Sequence, residues 1–173
     1  TNFAIILTDQ NGYIIDLISD DILINQLRND SGLQIGANRN ESHVGTAGIS
    51  LCLYLNKPFM VSGAEHFLRP HHIFRCCAAP IHDSNRQILG SLSMIGPKEI
   101  PGNHTLGMVG AAADAIRKEL QMRRGYKEIE YVNFQLRTML ESLSTGILMV
   151  DSNYVVTQHN TLAAKILHLR GLS

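Results

Sequence analysis

Apolar positions along the chain change their spacing several times, and each change marks an element. Residues 3–7 form a short apolar run stopped by Asp9-Gln10-Asn11-Gly12. Asn-Gly favours a tight hairpin turn, so 13–18 is predicted as the returning strand. Asp20 is placed to cap a following amphipathic stretch that carries Ile22, Leu23 and Leu27 on one side. Residues 30–41 are polar and contain glycine, which predicts a surface loop. Residues 46–55 read as a helix of small and apolar side chains, closed by Asn56-Lys57-Pro58.

A short strand is expected at 59–61 and a short helix or loop at 65–72, where Pro70 breaks any longer helix. Residues 73–80 and 87–95 read as two strands joined by the polar turn His82-Asp83-Ser84-Asn85-Arg86, the second ending at Gly96-Pro97. Over residues 103–124 the spacing becomes helical, with Leu106, Val109, Ala112, Ala113, Ile116 and Leu120 on one face. Gly125 interrupts that pattern without having to end the helix. Ile129, Val132, Leu136, Met139 and Leu143 then follow at steps of three and four, a heptad seam of about two repeats suited to a two-helix dimer or to packing on its own domain. After Ser144-Thr145-Gly146 a strand–turn–strand pattern appears at 146–150 and 154–158. Asn160 is predicted to cap a last helix carrying Leu162, Ile166, Leu167 and Leu169.

Composition narrows the function classes. The 173 residues are 45% hydrophobic and 17% charged, with 15 basic and 15 acidic side chains in balance. This composition suits a globular domain with a real core. Zero net charge and no Trp give no general pull toward nucleic acid or anionic lipid, and no membrane span is expected. Three cysteines without C-x-x-C spacing are not a disulfide framework and suit a reducing, cytoplasmic setting. The chain opens on Thr1 and stops within a helical pattern, so it reads as a piece of a larger protein.

Candidate chemistry concentrates in one window, Gly63-Ala64-Glu65-His66-Phe67-Leu68-Arg69-Pro70-His71-His72, running into Cys76-Cys77-Ala78-Ala79-Pro80-Ile81. Glu65, His66, His71 and Cys76 are metal-ligand types, but no standard spacing supports a site. Adjacent Cys76 and Cys77 in a strand must face opposite sides, which also weakens a shared metal. A cysteine nucleophile needs a neighbouring base such as His66, His71 or His72; an inert buried thiol is the bland alternative. The small residues of that strand leave room for a ligand or a close-packed helix. Gly45-Thr46-Ala47-Gly48 lacks the spacing of a phosphate loop and is better read as a close-packed helix start.

Gly45-Thr46-x-x-Ile49, the Gly63-Ala64-Glu65-His66-Phe67 block, Cys76-Cys77-Ala78-Ala79-Pro80-Ile81, Asp83 and Leu89-Gly90 together resemble the sensory GAF domain of sigma-54-dependent enhancer-binding transcription activators. These are the regulators of acetoin and of glycerol or dihydroxyacetone catabolism. The resemblance covers roughly residues 1–124. Leu140-Glu141-Ser142-Leu143, Gly146-Ile147, Val150-Asp151, Asn160 and Ala163-Ala164 look like the opening of a PAS domain. Ala47 and Ser50 stand where that family more often has Asn and Gly, Phe74 where it often has Trp, and Cys77 where it has Ser.

The resemblance implies an α+β fold: a GAF-like antiparallel sheet flanked by helices (1–124), a linker helix (125–144) and an incomplete PAS-like β-β-α segment (145–173). It implies a cytoplasmic, non-enzymatic signal-input module without a cofactor or metal. A small metabolite or a regulatory protein would bind near Thr46, Ile49, Glu65, His66, Phe74, Cys76 and Ala78. The seam would relay the signal in a homodimer, and ATP hydrolysis, DNA and sigma-54 RNA polymerase would belong to parts of the parent protein outside this chain. Two alternatives stand beside this reading: a GAF-scaffold thiol reductase using Cys76 or Cys77 with Cys52, and a dimerisation or docking domain with an occluded pocket.

Overall fold

A computed structural model describes residues 3–99 and 102–168. The chain divides into two compact units, Thr1–Gln121 and Met122–Ser173. The first contains a five-stranded antiparallel sheet in the order β2-β1-β5-β4-β3. Its strands are β1 (Ala4–Asp9), β2 (Ile14–Ile18), β3 (Phe59–Ser62), β4 (Phe74–His82) and β5 (Ile88–Pro97). The α+β class and the antiparallel sheet expected from the sequence are therefore the observed ones.

Helices α1 (Asp21–Ser31), α2 (Glu41–Val44) and α3 (Gly48–Leu55) connect β2 to β3, and 3₁₀ turns at Gly63–Glu65 and Arg69–Ile73 connect β3 to β4. The Asp20 carboxylate accepts the Leu23 N–H at 2.9 Å, and Gly32 closes α1 at φ 62°. Helix α4 runs unbroken from Gly102 to Ser142, through Gly125.

Strand alternation builds two apolar layers. Ala4, Ile6, Phe74, Cys76, Ala78 and Ile95 face one side, where they meet Leu27, Ile49 and Cys52. Cys77, Ala79 and Ile81 face the other, where Val109 and Ala113 of α4 cover them. A period-two strand and a helix whose apolar positions recur at three and four are complementary surfaces, and burying them stabilises the layer by roughly 25 cal/mol per Å² of apolar area.

The same turn is used three times. Asp9, Asp83 and Asp151 each accept two backbone N–H groups through Oδ1: from Asn11 and Tyr13, from Asn85 and Gln87, and from Asn153 and Val155. In each, the fourth residue has positive φ: Gly12 at 84°, Arg86 at 61° and Tyr154 at 63°. Asp-x-Asn is thus a side-chain-scaffolded hairpin turn, with the left-handed residue setting the bulge.

Residues 32–40 are not a plain surface loop. Ile14 N–H bonds Ala37 C=O at 2.9 Å, Arg39 N–H bonds Gly12 C=O at 2.7 Å, and Tyr13 pairs with Asn38. Leu33 and Arg39 are buried. The polar composition hides a segment tied down by backbone bonds to the start of β2.

The second unit holds the remainder of α4, the hairpin β6 (Leu148–Val150) and β7 (Val156–His159), and α5 (Thr161–Ile166). Asn160 caps α5 as expected, accepting the Ala163 N–H at 2.9 Å. Leu169 lies outside the described residues.

Candidate functional site

The short turns between β3 and β4 fold the histidine window over one sheet face. Gly63 takes φ 57°, a left-handed conformation that glycine adopts without a Cβ penalty. The Glu65 carboxylate reaches back to accept the Ser62 N–H at 2.7 Å. His66 then turns inward, its Nδ1 donating to the Gly63 carbonyl at 3.1 Å, and Phe67 N–H bonds the Thr46 carbonyl at 2.9 Å. His71 packs edge-on against His66, with ring centroids 5.7 Å apart.

These rings close a small cavity lined by Leu33, Arg39, Ala47, Ile49, His66, His71, Phe74, Cys76 and Ile95. The volume open to the centre of a water is ≈ 20 Å³. That is room for about one water, far below the few hundred Å³ of a metabolite pocket. Of the residues expected to line a pocket, Ile49, His66, Phe74 and Cys76 do so. Thr46 and Ala78 do not line it. Glu65 is exposed and acts as a capping carboxylate. Leu33, Arg39, Ala47, His71 and Ile95 line it as well; the first three come from the polar stretch and the helix start, far from the histidines in sequence.

Arg39 Nη2 donates to His71 Nε2 at 3.2 Å, which requires a neutral His71 carrying its proton on Nδ1. Burial, reinforced by the Arg39 charge, pushes the His71 pKa down to about 4. Burial also lowers that of His66. The unfolded chain therefore binds more protons than the folded one between about pH 4 and the ordinary value of 6.5. Stability contributed by neutral His71 is fully present above pH 6.5 and is lost as pH falls toward 4, by about 3 kcal/mol. Urea unfolding at pH 7 and pH 4.5 should show that loss, and His71→Gln should flatten the slope. An unchanged slope would place the acid sensitivity elsewhere.

All three thiols are buried. Burial drives Cys52 and Cys76 up to about 12 and raises Cys77 as well. A thiol held neutral is a poor nucleophile. Cys76 and Cys77 face opposite layers, as strand alternation requires. Gly48 lets α3 approach this strand: a Cβ there would lie 2.5 Å from Cys76 Sγ. Among the described residues, no three His, Cys, Asp or Glu side chains are placed to hold a metal ion.

The family model for the MimR N-terminal domain matches residues 1–100. The chain belongs to the MimR N-terminal domain family. A signal-transduction and transcriptional-control protein of Clostridium beijerinckii is 30% identical over 170 residues, 98% of this chain and 27% of the relative. The acetoin dehydrogenase operon transcriptional activator AcoR of Bacillus subtilis is 33% identical over 98 residues, 57% of this chain and 16% of that protein. This MimR-type chain therefore spans about a quarter or less of the curated relatives it matches.

The crystal structure of the E. coli DhaR(N)–DhaL complex superposes with a TM-score of 0.90 at 23% identity, covering 100% of this chain and 59% of the matched one. Relatives of this MimR-type domain are regulators of transcription, which supports a regulatory role.

Proposed function

We propose that this chain is the signal-input region of a bacterial transcription activator and that its input is a regulatory protein docking on the domain. The carrying observation is the cavity behind β4, which is water-sized rather than metabolite-sized. The structural neighbour's assembly with DhaL supports the same reading. In the wider proposal, residues 1–124 form a GAF-like sensor, 125–144 a linker helix and 145–173 the front of a PAS-like domain. Sigma-54 dependence, an ATPase and DNA contacts belong to the parent protein. The setting is cytoplasmic; no helix among the described residues is long and apolar enough to cross a membrane.

The test is a binding measurement on the chain with a DhaL-type protein, run beside thermal shifts with acetoin, glycerol and dihydroxyacetone. A complex with the protein and no shift with the metabolites is expected. A small effector at ~100 times its dissociation constant stabilises by roughly 2.7 kcal/mol, which moves the midpoint by several degrees. Such a shift, without protein binding, overturns the docking reading.

The relay is proposed to run through a homodimer seam. Ile129, Val132, Leu136 and Met139 are exposed on α4, Leu143 is exposed just past its end, and Met122 continues the same register one heptad earlier. Exposed apolar side chains at heptad spacing are stable in water when a second helix covers them. Leu136→Cys should form a disulfide-linked dimer under mild oxidation, because the native thiols are buried and do not compete. A chain that stays monomeric in that experiment removes the seam from the mechanism.

A further inference from the structure

Arg39 is a buried cation without a counter-ion. It is 5% exposed, and among the described residues it makes no ion pair. Its guanidinium carries five N–H donors. Nη1 donates to the Ser31 carbonyl at 3.4 Å and Nη2 to His71 Nε2 at 3.2 Å, both long for such bonds. Neither acceptor carries a negative charge. The cavity beside it offers no carboxylate: its polar lining is Arg39, His66, His71 and the Cys76 thiol. Leu33, Ile49, Phe74 and Ile95 make the other walls apolar, so the field of the guanidinium is weakly screened there.

We propose that this cavity is a binding site for one small monovalent anion of halide size, held by the Arg39 guanidinium. Three observations select that ligand class. The charge of Arg39 is uncompensated, the polar groups around the space include no carboxylate, and the ≈ 20 Å³ volume admits one body about as large as a water. Sulfate and multi-carbon carboxylates are excluded by size. Metal cations are excluded by the sign of the field. The site is independent of whether the domain docks a protein, since its ligand is too small to be the regulator's metabolite.

The rival occupant is a water that accepts from Arg39. The experiment separates them with chloride as the probe, on the chain as it stands. The ³⁵Cl line width is measured during titration with sodium chloride, the ionic strength being held constant with sodium sulfate, and bromide is added as competitor. Excess broadening that bromide reverses, with a saturable rise in thermal midpoint, is expected. Arg39→Gln should abolish both. Ala47→Val is the second variant: it keeps Arg39 and fills the space with methyl groups, at an extended position (φ −150°) that a branched side chain adopts readily. It should abolish the broadening while the protein stays folded. Wild-type broadening equal to that of Ala47→Val, or a midpoint that follows ionic strength regardless of the anion, means the cavity holds water only and overturns the proposal.

Discussion

Gly90→Ala is expected to cost on the order of 5 kcal/mol and to leave the first unit largely unfolded at room temperature. Gly90 lies in β5, the middle strand of the sheet, opposite Asp9 of β1 and Ile81 of β4. A Cβ at this position would sit 1.9 Å from the Thr8 carbonyl oxygen and 2.9 Å from its carbon. Both are backbone atoms in a paired strand, so they yield only if the ladder opens. Thr8 is itself pinned, its hydroxyl bonded to Ser91 at 2.8 Å within the core. Gly110 in α4 supplies the control: nothing lies within 4 Å of its would-be Cβ. Gly110→Ala should stabilise by up to about 1 kcal/mol through helix propensity. Urea denaturation of the two variants should move in opposite directions. A Gly90→Ala protein as stable as wild type would mean that β1 and β5 do not approach as closely as the register requires.

In the second unit, Asn160→Ala is expected to remove about 4 kcal/mol, enough to detach the hairpin and α5. The side chain is 2% exposed and fully used. Its Oδ1 accepts the N–H groups of Ile147 and Ala163, each at 2.9 Å. Its Nδ2 donates to the carbonyls of Leu140 at 3.1 Å and Thr145 at 2.8 Å. One amide therefore joins the end of α4, the approach to β6 and the first turn of α5. Losing a cap costs about 1 kcal/mol, and backbone groups left unpaired add a desolvation penalty of similar size or more for each. Hydrogen exchange at Ile147 and Ala163 is the sensitive readout, with Asn160→Asp as an intermediate that keeps the acceptor and loses the donors. Unaltered protection in Asn160→Ala would assign the stability of this segment to its apolar contacts.

Much of this architecture was legible locally. Asn11-Gly12 announces the first hairpin, Asp20 and Asn160 announce their helices, and alternation alone separates Cys76 from Cys77. Each of those inferences uses residues within a few positions of one another. Arg39 and Glu65 show where local reading stops. Arg39 sits in a polar stretch that reads as a surface loop, yet it is buried because His71, 32 positions later, folds over it. Glu65 sits among the histidines, a position that suggests a shared site, yet it points outward because a 3₁₀ turn gives its carboxylate to the Ser62 N–H. Neither hydropathy nor spacing encodes which turn comes next. A cavity lies beside His66 and Cys76, and its size follows from how closely α3 approaches β4, which Gly48 permits.

The opposed cysteines have a mechanical consequence. Cys76 forms part of the cavity wall, and Cys77, one peptide bond away, lies under Val109 and Ala113 of α4. Because the peptide between them is stiff and paired on both edges, to β3 and to β5, it translates as a block. The sheet at this point has the thickness of a single chain. Any outward push on the Cys76 side arrives on the helix side as a displacement of the same backbone, with no intervening side chain to absorb it.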